Sequence, residues 1–205
     1  MRGSKQIPDG MHKAETDESG SVQVREEQEM VMGAQQPIEV RIADVRRQPV
    51  EDGKPGLHMV LLEEEGGERR LPIWIGPFEA EALVMQLEQF ETGRPLTYAL
   101  TAGLLQALAA PPREIRITRL EGDTFHATVI VDGSQGTASV DARPSDALNL
   151  AIASGAPVRV DSALFEASAS ASREPSALRA QMTEGRSAIA ADLLARMTRE
   201  RLGEP

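Results

Sequence analysis

Apolar and polar residues alternate in two separate stretches of this chain, and each stretch runs into a helix that opens on proline. In the first, Ile38, Val40 and Ile42 are separated by Glu39 and Arg41. That period of two predicts a half-buried strand from Pro37 toward Val45. Glu51-Asp52-Gly53-Lys54-Pro55-Gly56 is turn chemistry, and Leu57–Glu64 reads as a second strand. Glu65-Gly66-Gly67-Glu68 predicts a hairpin turn into a third strand, Arg70–Ile75, with Glu63-Glu64-Glu65 as its charged tip. A helix follows from Pro77 to Leu87, because proline at the first helical position loses only an N–H that would go unpaired there. Gly93-Arg94-Pro95-Leu96 breaks it. Thr97 is the expected cap of a second helix, on which Leu100, Leu104 and Leu108 recur every four residues.

The plan then repeats. Ile115 and Ile117 mark a strand, Gly122-Asp123 a turn, and Phe125, Ala127, Val129 and Val131 alternate with His126, Thr128 and Ile130. Asp132-Gly133-Ser134 turns the chain into Thr137–Ala142, and a helix opens at Pro144. Gly155 suits the left-handed position that ends that helix, and Pro157–Val160 is a closing strand. Setting Pro77 on Pro144 places Glu79 on Asp146, Ala80 on Ala147 and Leu83 on Leu150. The expectation is an α+β fold, mainly antiparallel, built from a β-β-β-α pseudo-repeat.

Residues 1–36 lack period and large apolar groups, so they read as a disordered extension, with Met30 or Met32 as the expected natural start. The domain is expected over residues 37–167. Residues 168–205 form a low-complexity tail in which Ile189, Leu193, Leu194 and Met197 sketch a short helix, marginal without a surface to pack on.

Composition narrows the chemistry. The formal net charge is −10, from 32 acids against 22 bases, which argues against a broad nucleic-acid surface built on Lys and Arg. It leaves room for an acidic site whose carboxylates hold a cation that then meets a phosphate. There is no cysteine, so disulfides, thiolate metal sites and thiol nucleophiles are excluded. No run of residues is long and apolar enough to span a membrane, and the chain is expected to be cytoplasmic. At 3% aromatic residues, an extended base-stacking platform is not expected.

One junction concentrates charge. In Val140-Asp141-Ala142-Arg143-Pro144-Ser145-Asp146, a strand hands over to a helix. Asp141 and Arg143 share one strand face, and Asp146 falls in the first helical turn, where the macrodipole favours an acid.

Three strings carry a resemblance: Leu71-Pro72-Ile73-Trp74-Ile75-Gly76-Pro77-Phe78-Glu79-Ala80-Glu81-Ala82, then Arg94-Pro95-Leu96-Thr97, then Val140 to Ala147. In this order they resemble the LPIxIGxxEAxAI, RPLTHDL and DARPSDAIALA strings of the bifunctional nuclease domain family. The likeness covers about Pro37 to Glu166. It implies a small α+β domain, often self-associating, that acts on RNA and DNA. The chain departs from the pattern at Tyr98-Ala99, where many relatives carry His-Asp.

Hydrolysis of a phosphodiester needs an activated water, charge stabilisation on the phosphoryl oxygens and help for the leaving oxygen, and metal-bound carboxylates supply the first two. The expected catalytic residues are Asp141, Arg143, Asp146 and Glu79. Arg94, Thr97 and Ser145 are the expected substrate contacts, with a guanidinium able to clamp two phosphate oxygens. Glu79, Glu81, Asp141 and Asp146 are the expected ligands of a divalent metal, Mg²⁺ or Mn²⁺. Nucleic acid is the expected substrate, and a homo-oligomer the expected assembly. Plainer readings stand beside these. Glu79 and Asp146, each the third residue of its helix, suit bonding to free N–H groups of the helix start. Asp141 suits pairing with Arg143, and Ser145 suits a hydrogen bond at the helix start. Arg113, Arg116 and Arg119 suit a solvated face, His58 and His126 surface or partly packed positions, and Trp74 the core or an interface. At the level of function, the alternative is a non-catalytic binding or regulatory module that uses the same groove for an anionic ligand or a protein partner.

Overall fold

The computed structural model describes residues 36–48, 56–134, 136–171 and 184–202. The extension and the start at Met30 or Met32 lie outside them, apart from Gln36. The first half of the described chain is β1 (Pro37–Arg47), β2 (His58–Glu64), β3 (Arg70–Ile75), α1 (Pro77–Leu87) and α2 (Thr97–Ala107). The second is β4 (Pro112–Glu121), β5 (Thr124–Gly133), β6 (Gly136–Ala142), α3 (Pro144–Ser154), β7 (Val158–Asp161), α4 (Ala163–Ala171) and α5 (Arg186–Leu202).

The seven strands form one sheet in the order β3-β2-β1-β7-β4-β5-β6. Each half is an antiparallel meander whose first strand lies near the centre and whose third is an edge. The short β7 joins them, antiparallel to β1 and parallel to β4. The halves therefore run in opposite senses about the middle of the sheet, which is the expected β-β-β-α repeat in inverted form. The consequence for the site is direct. The helices α1 and α3 leave opposite edges, yet pack on each other.

The core is aliphatic, with Leu62, Leu71, Leu83, Ile115, Ile117 and Leu148 among its fully buried side chains. One feature of β1 escapes its alternation. A bulge between Ile42 and Asp44 inserts a residue against β2, so Val40 and Val45 both point inward although they differ in parity.

Several sequence expectations need correction. Glu63 is not part of an exposed tip. It is 4% exposed on β2, and Arg41 of β1 and Arg70 of β3, its register partners on either side, both ion-pair with it. Two guanidinium groups take the place of the water this enclosed carboxylate gives up. Glu114 is held likewise by Arg116 and by Arg159, 2.8 Å away on β7. Arg113 and Arg119 keep the solvated face expected of them, paired there with Asp132 and Glu121. Trp74 is half-buried on the edge strand β3.

The boundary at residue 167 falls inside α4, and the tail helix is part of the packed body. Ile189, Ala190 and Leu193 of α5 are buried, with α1 and β1 as the helix's packing partners. Backbone hydrogen bonds join Arg47 to Glu184, and the Arg47 guanidinium reaches Glu184 and Asp192. Asp44, at the bulge, accepts the Arg186 N–H at the start of α5 at 3.3 Å. The docking surface supplies what the helix lacks by itself.

His58 is 6% exposed, not a surface residue, and its Nδ1 is buried with no hydrogen-bond partner among the described residues. Burial pushes its pKa below the usual histidine value, and the charge of Arg47 adds to the effect. The unfolded chain takes up this proton near pH 6.5 while the folded chain resists it, so the contribution is complete above that pH and lost below it. Melting followed between pH 8 and pH 5 is expected to lose a few degrees through this group, and His58→Gln is expected to flatten the acid limb. An unchanged limb in the variant would remove His58 from the account.

Candidate functional site

The site lies where the two proline-opened helices meet. Gly76 and Arg143 are the N-cap residues of α1 and α3, both in extended backbone, and each is followed by proline at the first helical position. Glu79 and Asp146 are therefore equivalent positions of the inverted repeat. Neither helix start has a side-chain cap bond, so the expected capping role for these acids is not what the structure shows. Both acids turn to one guanidinium instead. Arg143 Nε donates to Asp146 Oδ2 at 2.6 Å, and Nη2 donates to Asp146 Oδ1 and to Glu79 Oε1, both at 3.0 Å. A Cβ at Gly76 would collide with Glu79 Oε2, so the glycine leaves room for that carboxylate.

The neighbours hold this arrangement in place. Tyr98, in the first turn of α2, donates its hydroxyl to Asp146 Oδ1 at 2.7 Å. Buried Asn149, one turn after Asp146, donates to the backbone carbonyls of Glu79 and Ser145 and accepts from Gln86 Nε2 at 2.7 Å. It stitches α1 to α3 from beneath.

Charges respond accordingly. Burial and the hydrogen bond to Asp146 push the Tyr98 hydroxyl upward, so it remains a donor. Asp146 is pushed up by burial, but the hydrogen bonds from Arg143 and Tyr98 outweigh this and hold it below the usual carboxylate range. The bonds to Asp146, then to Glu79, raise Arg143 further. Of the five guanidinium N–H groups, the two on Nη1 make no bond among the described residues, and the side chain is 66% exposed. A planar fork with free donors facing solvent suits an oxyanion.

The sequence pattern of the bifunctional nuclease domain matches residues 60–173, over half of the chain and all of this junction. The chain belongs to the bifunctional nuclease domain family. It is 37% identical over 134 residues to an uncharacterized protein of Mycobacterium tuberculosis, covering 65% of this chain and 74% of that protein. Bifunctional nuclease 1 of Oryza sativa (indica) is 26% identical over 113 residues, which span 54% of this chain and 34% of the rice protein. Bifunctional nuclease 2 of Oryza sativa (japonica) is 25% identical over 141 residues, 66% of this chain and 43% of its own.

Tyr98 stands where the resemblance led us to expect a histidine. The sequence marked Tyr98 only as a departure from that pattern; in the structure its hydroxyl bonds Asp146 beside Arg143. Asn149 was missed as well. Its signal was a lone amide in the otherwise apolar run Ala147 to Ile152.

The other expected residues are elsewhere. Asp141 is exposed on β6 and makes no side-chain bond among the described residues, so the expected pairing with Arg143 does not form. Glu81 ion-pairs with Arg196 of α5. Arg94 is exposed in the loop before α2, where its carbonyl accepts from Thr92 and its side chain makes no bond among the described residues. Thr97 is not the cap; Leu96 holds that position, and the Thr97 carbonyl accepts from Thr101. Ser145 is buried and takes part through its carbonyl, with no side-chain bond at the helix start. His126 is partly packed, 3.4 Å from Glu121.

The four acids expected to hold a metal do not converge. Among the described residues no group of three or more His, Asp or Glu side chains is placed to hold an ion. The two acids that do meet have a guanidinium between them. The donor set does not fit a resident metal.

Proposed function

We propose that this chain hydrolyses phosphodiester bonds of RNA and DNA at the α1–α3 junction, in the cytoplasm. The observation that carries the reading is Arg143, fixed through Nε and Nη2 by two carboxylates, with Nη1 unbonded among the described residues on a largely exposed side chain. Nη1 would hold a non-bridging phosphate oxygen. Asp141, two residues before it and without a side-chain bond among the described residues, would take the proton from the attacking water as the new oxygen–phosphorus bond forms. The ester bond to the leaving oxygen breaks, and that oxygen takes its proton from solvent. Glu79, Asp146, Tyr98 and Asn149 position Arg143.

Two carboxylates against one guanidinium leave the junction negative, and Asp141 adds to it. We therefore propose that Mg²⁺ or Mn²⁺ takes part as an ion brought in with the substrate's phosphates, the manner in which Mg²⁺ makes do with few protein carboxylates. The test is cleavage of labelled RNA and DNA with Mg²⁺, with Mn²⁺ and with chelator. Cleavage is expected with either ion, and Asp141→Asn is expected to lower it about 10²–10⁴-fold. Intact substrates under every condition, or an unaffected Asp141→Asn, would reject the reading.

One observation favours a non-catalytic binding module. Three bonds from Arg143 and Tyr98 already occupy most of the acceptor positions of Asp146, which leaves that acid little to offer an ion or an attacking water. Specific retention of an anionic ligand without cleavage supports this second reading.

A homo-oligomer belongs to the proposal too. No residue of α2 is buried, and Leu100, Leu104 and Leu108 are all more than half exposed. The stripe read from the sequence faces outward. From Leu96 to Ala110 there is no charged residue, so on a chain of net charge −10 this is a face where two copies meet without repulsion. Light scattering after gel filtration is expected to show an oligomer that Leu104→Glu shifts to monomer. A monomeric wild type would end this part of the proposal.

A further inference from the structure

A cavity of about 320 Å³ opens beside the junction, walled by Met85, Phe90, Leu96, Tyr98 and Ile152, with Gln86 as a polar member of its lining. Its size is at the small end of ligand pockets. Tyr98 belongs to both places, since its ring lines the cavity while its hydroxyl bonds Asp146 beside Arg143. Gln86 is oriented by donating to Asn149, which leaves its carbonyl and second N–H uncommitted among the described residues. The chain has one Tyr, one Trp and four Phe, and the Tyr and one Phe line this single cavity.

We propose that the cavity is a nucleobase subsite, so that the substrate is held as a nucleotide: base between the apolar walls, phosphate on Arg143. This rests on the hydrolytic reading for the class of ligand. The base's flat faces suit the Tyr98 and Phe90 rings and the Met85 side chain, because stacking on aromatics tolerates any base. The amide of Gln86 offers one donor and one acceptor to a base edge, a contact that adds preference without restricting the site to one base. An extended platform is not needed; one base per phosphate is enough. The arrangement accounts for how a strongly acidic chain with few aromatics binds a polyanion at all. Affinity comes from one desolvated base and one clamped phosphate, not from a basic surface.

Calorimetric titration of the whole chain with AMP, UMP and ribose 5-phosphate tests this. AMP and UMP are each expected to bind at least about fivefold tighter than ribose 5-phosphate, the low end of one base–aromatic stack. Ala99→Trp places an indole from an exposed helical position into the cavity. It is expected to abolish that preference and leave ribose 5-phosphate binding and the melting temperature unchanged. Equal binding of the three compounds, or a preference that survives Ala99→Trp, overturns the subsite. Cleavage assays separate this outcome from the fate of the hydrolytic reading. A base preference in a protein that cuts neither RNA nor DNA keeps the subsite and removes the nuclease activity, whereas cleavage without base preference does the reverse.

Discussion

Arg143→Ala is expected to lower cleavage of RNA and DNA together by about 10²–10³-fold, the loss typical when one preorganised donor to a developing oxyanion is removed. The reason lies in the number of jobs this one side chain does. It ties Asp146 to Glu79, and through them α3 to α1, while Nη1 is left for the substrate. Lysine cannot replace it, because a single ammonium cannot span two carboxylates and still present a planar pair of donors. Arg143→Lys is therefore expected to resemble alanine in rate, although it restores the charge. Stability should change little, since the guanidinium is largely exposed and such pairs are screened by water. Initial rates on labelled RNA and DNA, with thermal melting as the control, check both parts. Wild-type rates in Arg143→Lys would show that charge alone suffices.

The second large effect concerns the floor beneath the site. Leu148 is fully buried in α3, between Ala147 and Asn149, and belongs to the same core as Leu83 of α1. Leu148→Ala is expected to cost about 2–5 kcal/mol of stability, from lost burial plus the cavity left behind. Urea unfolding measures it, and the slope with denaturant should stay constant while the midpoint falls. A loss under about 1 kcal/mol would mean that α1 and α3 close over the gap.

The sequence carried the elements well because their signals are local. Proline at the first helical position, alternation along Phe125–Val131 and glycine at the end of α3 need no distant partner, and Gly155 does adopt the left-handed conformation, with φ 73°. What was hidden depends on residues far apart in the chain. Tyr98 and Asp146 are 48 positions apart, and Glu79 and Arg143 are 64. The burial of Glu63 follows from arginines on two flanking strands, so a triplet of acids beside a Gly-Gly turn resembled a hairpin tip. The bulge at Ile42 to Asp44 shifts phase without any glycine to announce it. Glu79 and Asp146 were aligned correctly by the repeat. That alignment could not say whether the pair would meet through a metal, through backbone N–H groups or, as found, through an arginine.

The position of β7 and α5 has a bearing on how the chain reaches this state. The first strand of the sheet is completed by one of its last segments, Val158–Asp161, and is then clamped by a helix whose salt bridge to it links residues 145 apart. The two meanders can each collapse early, but their joining must wait until Val158–Asp161 has been made. Assembly is thus dominated by long-range closure, which slows it. Until that closure is made, the first residues of β1, Pro37 to Val40, present an unsatisfied edge to any neighbouring chain.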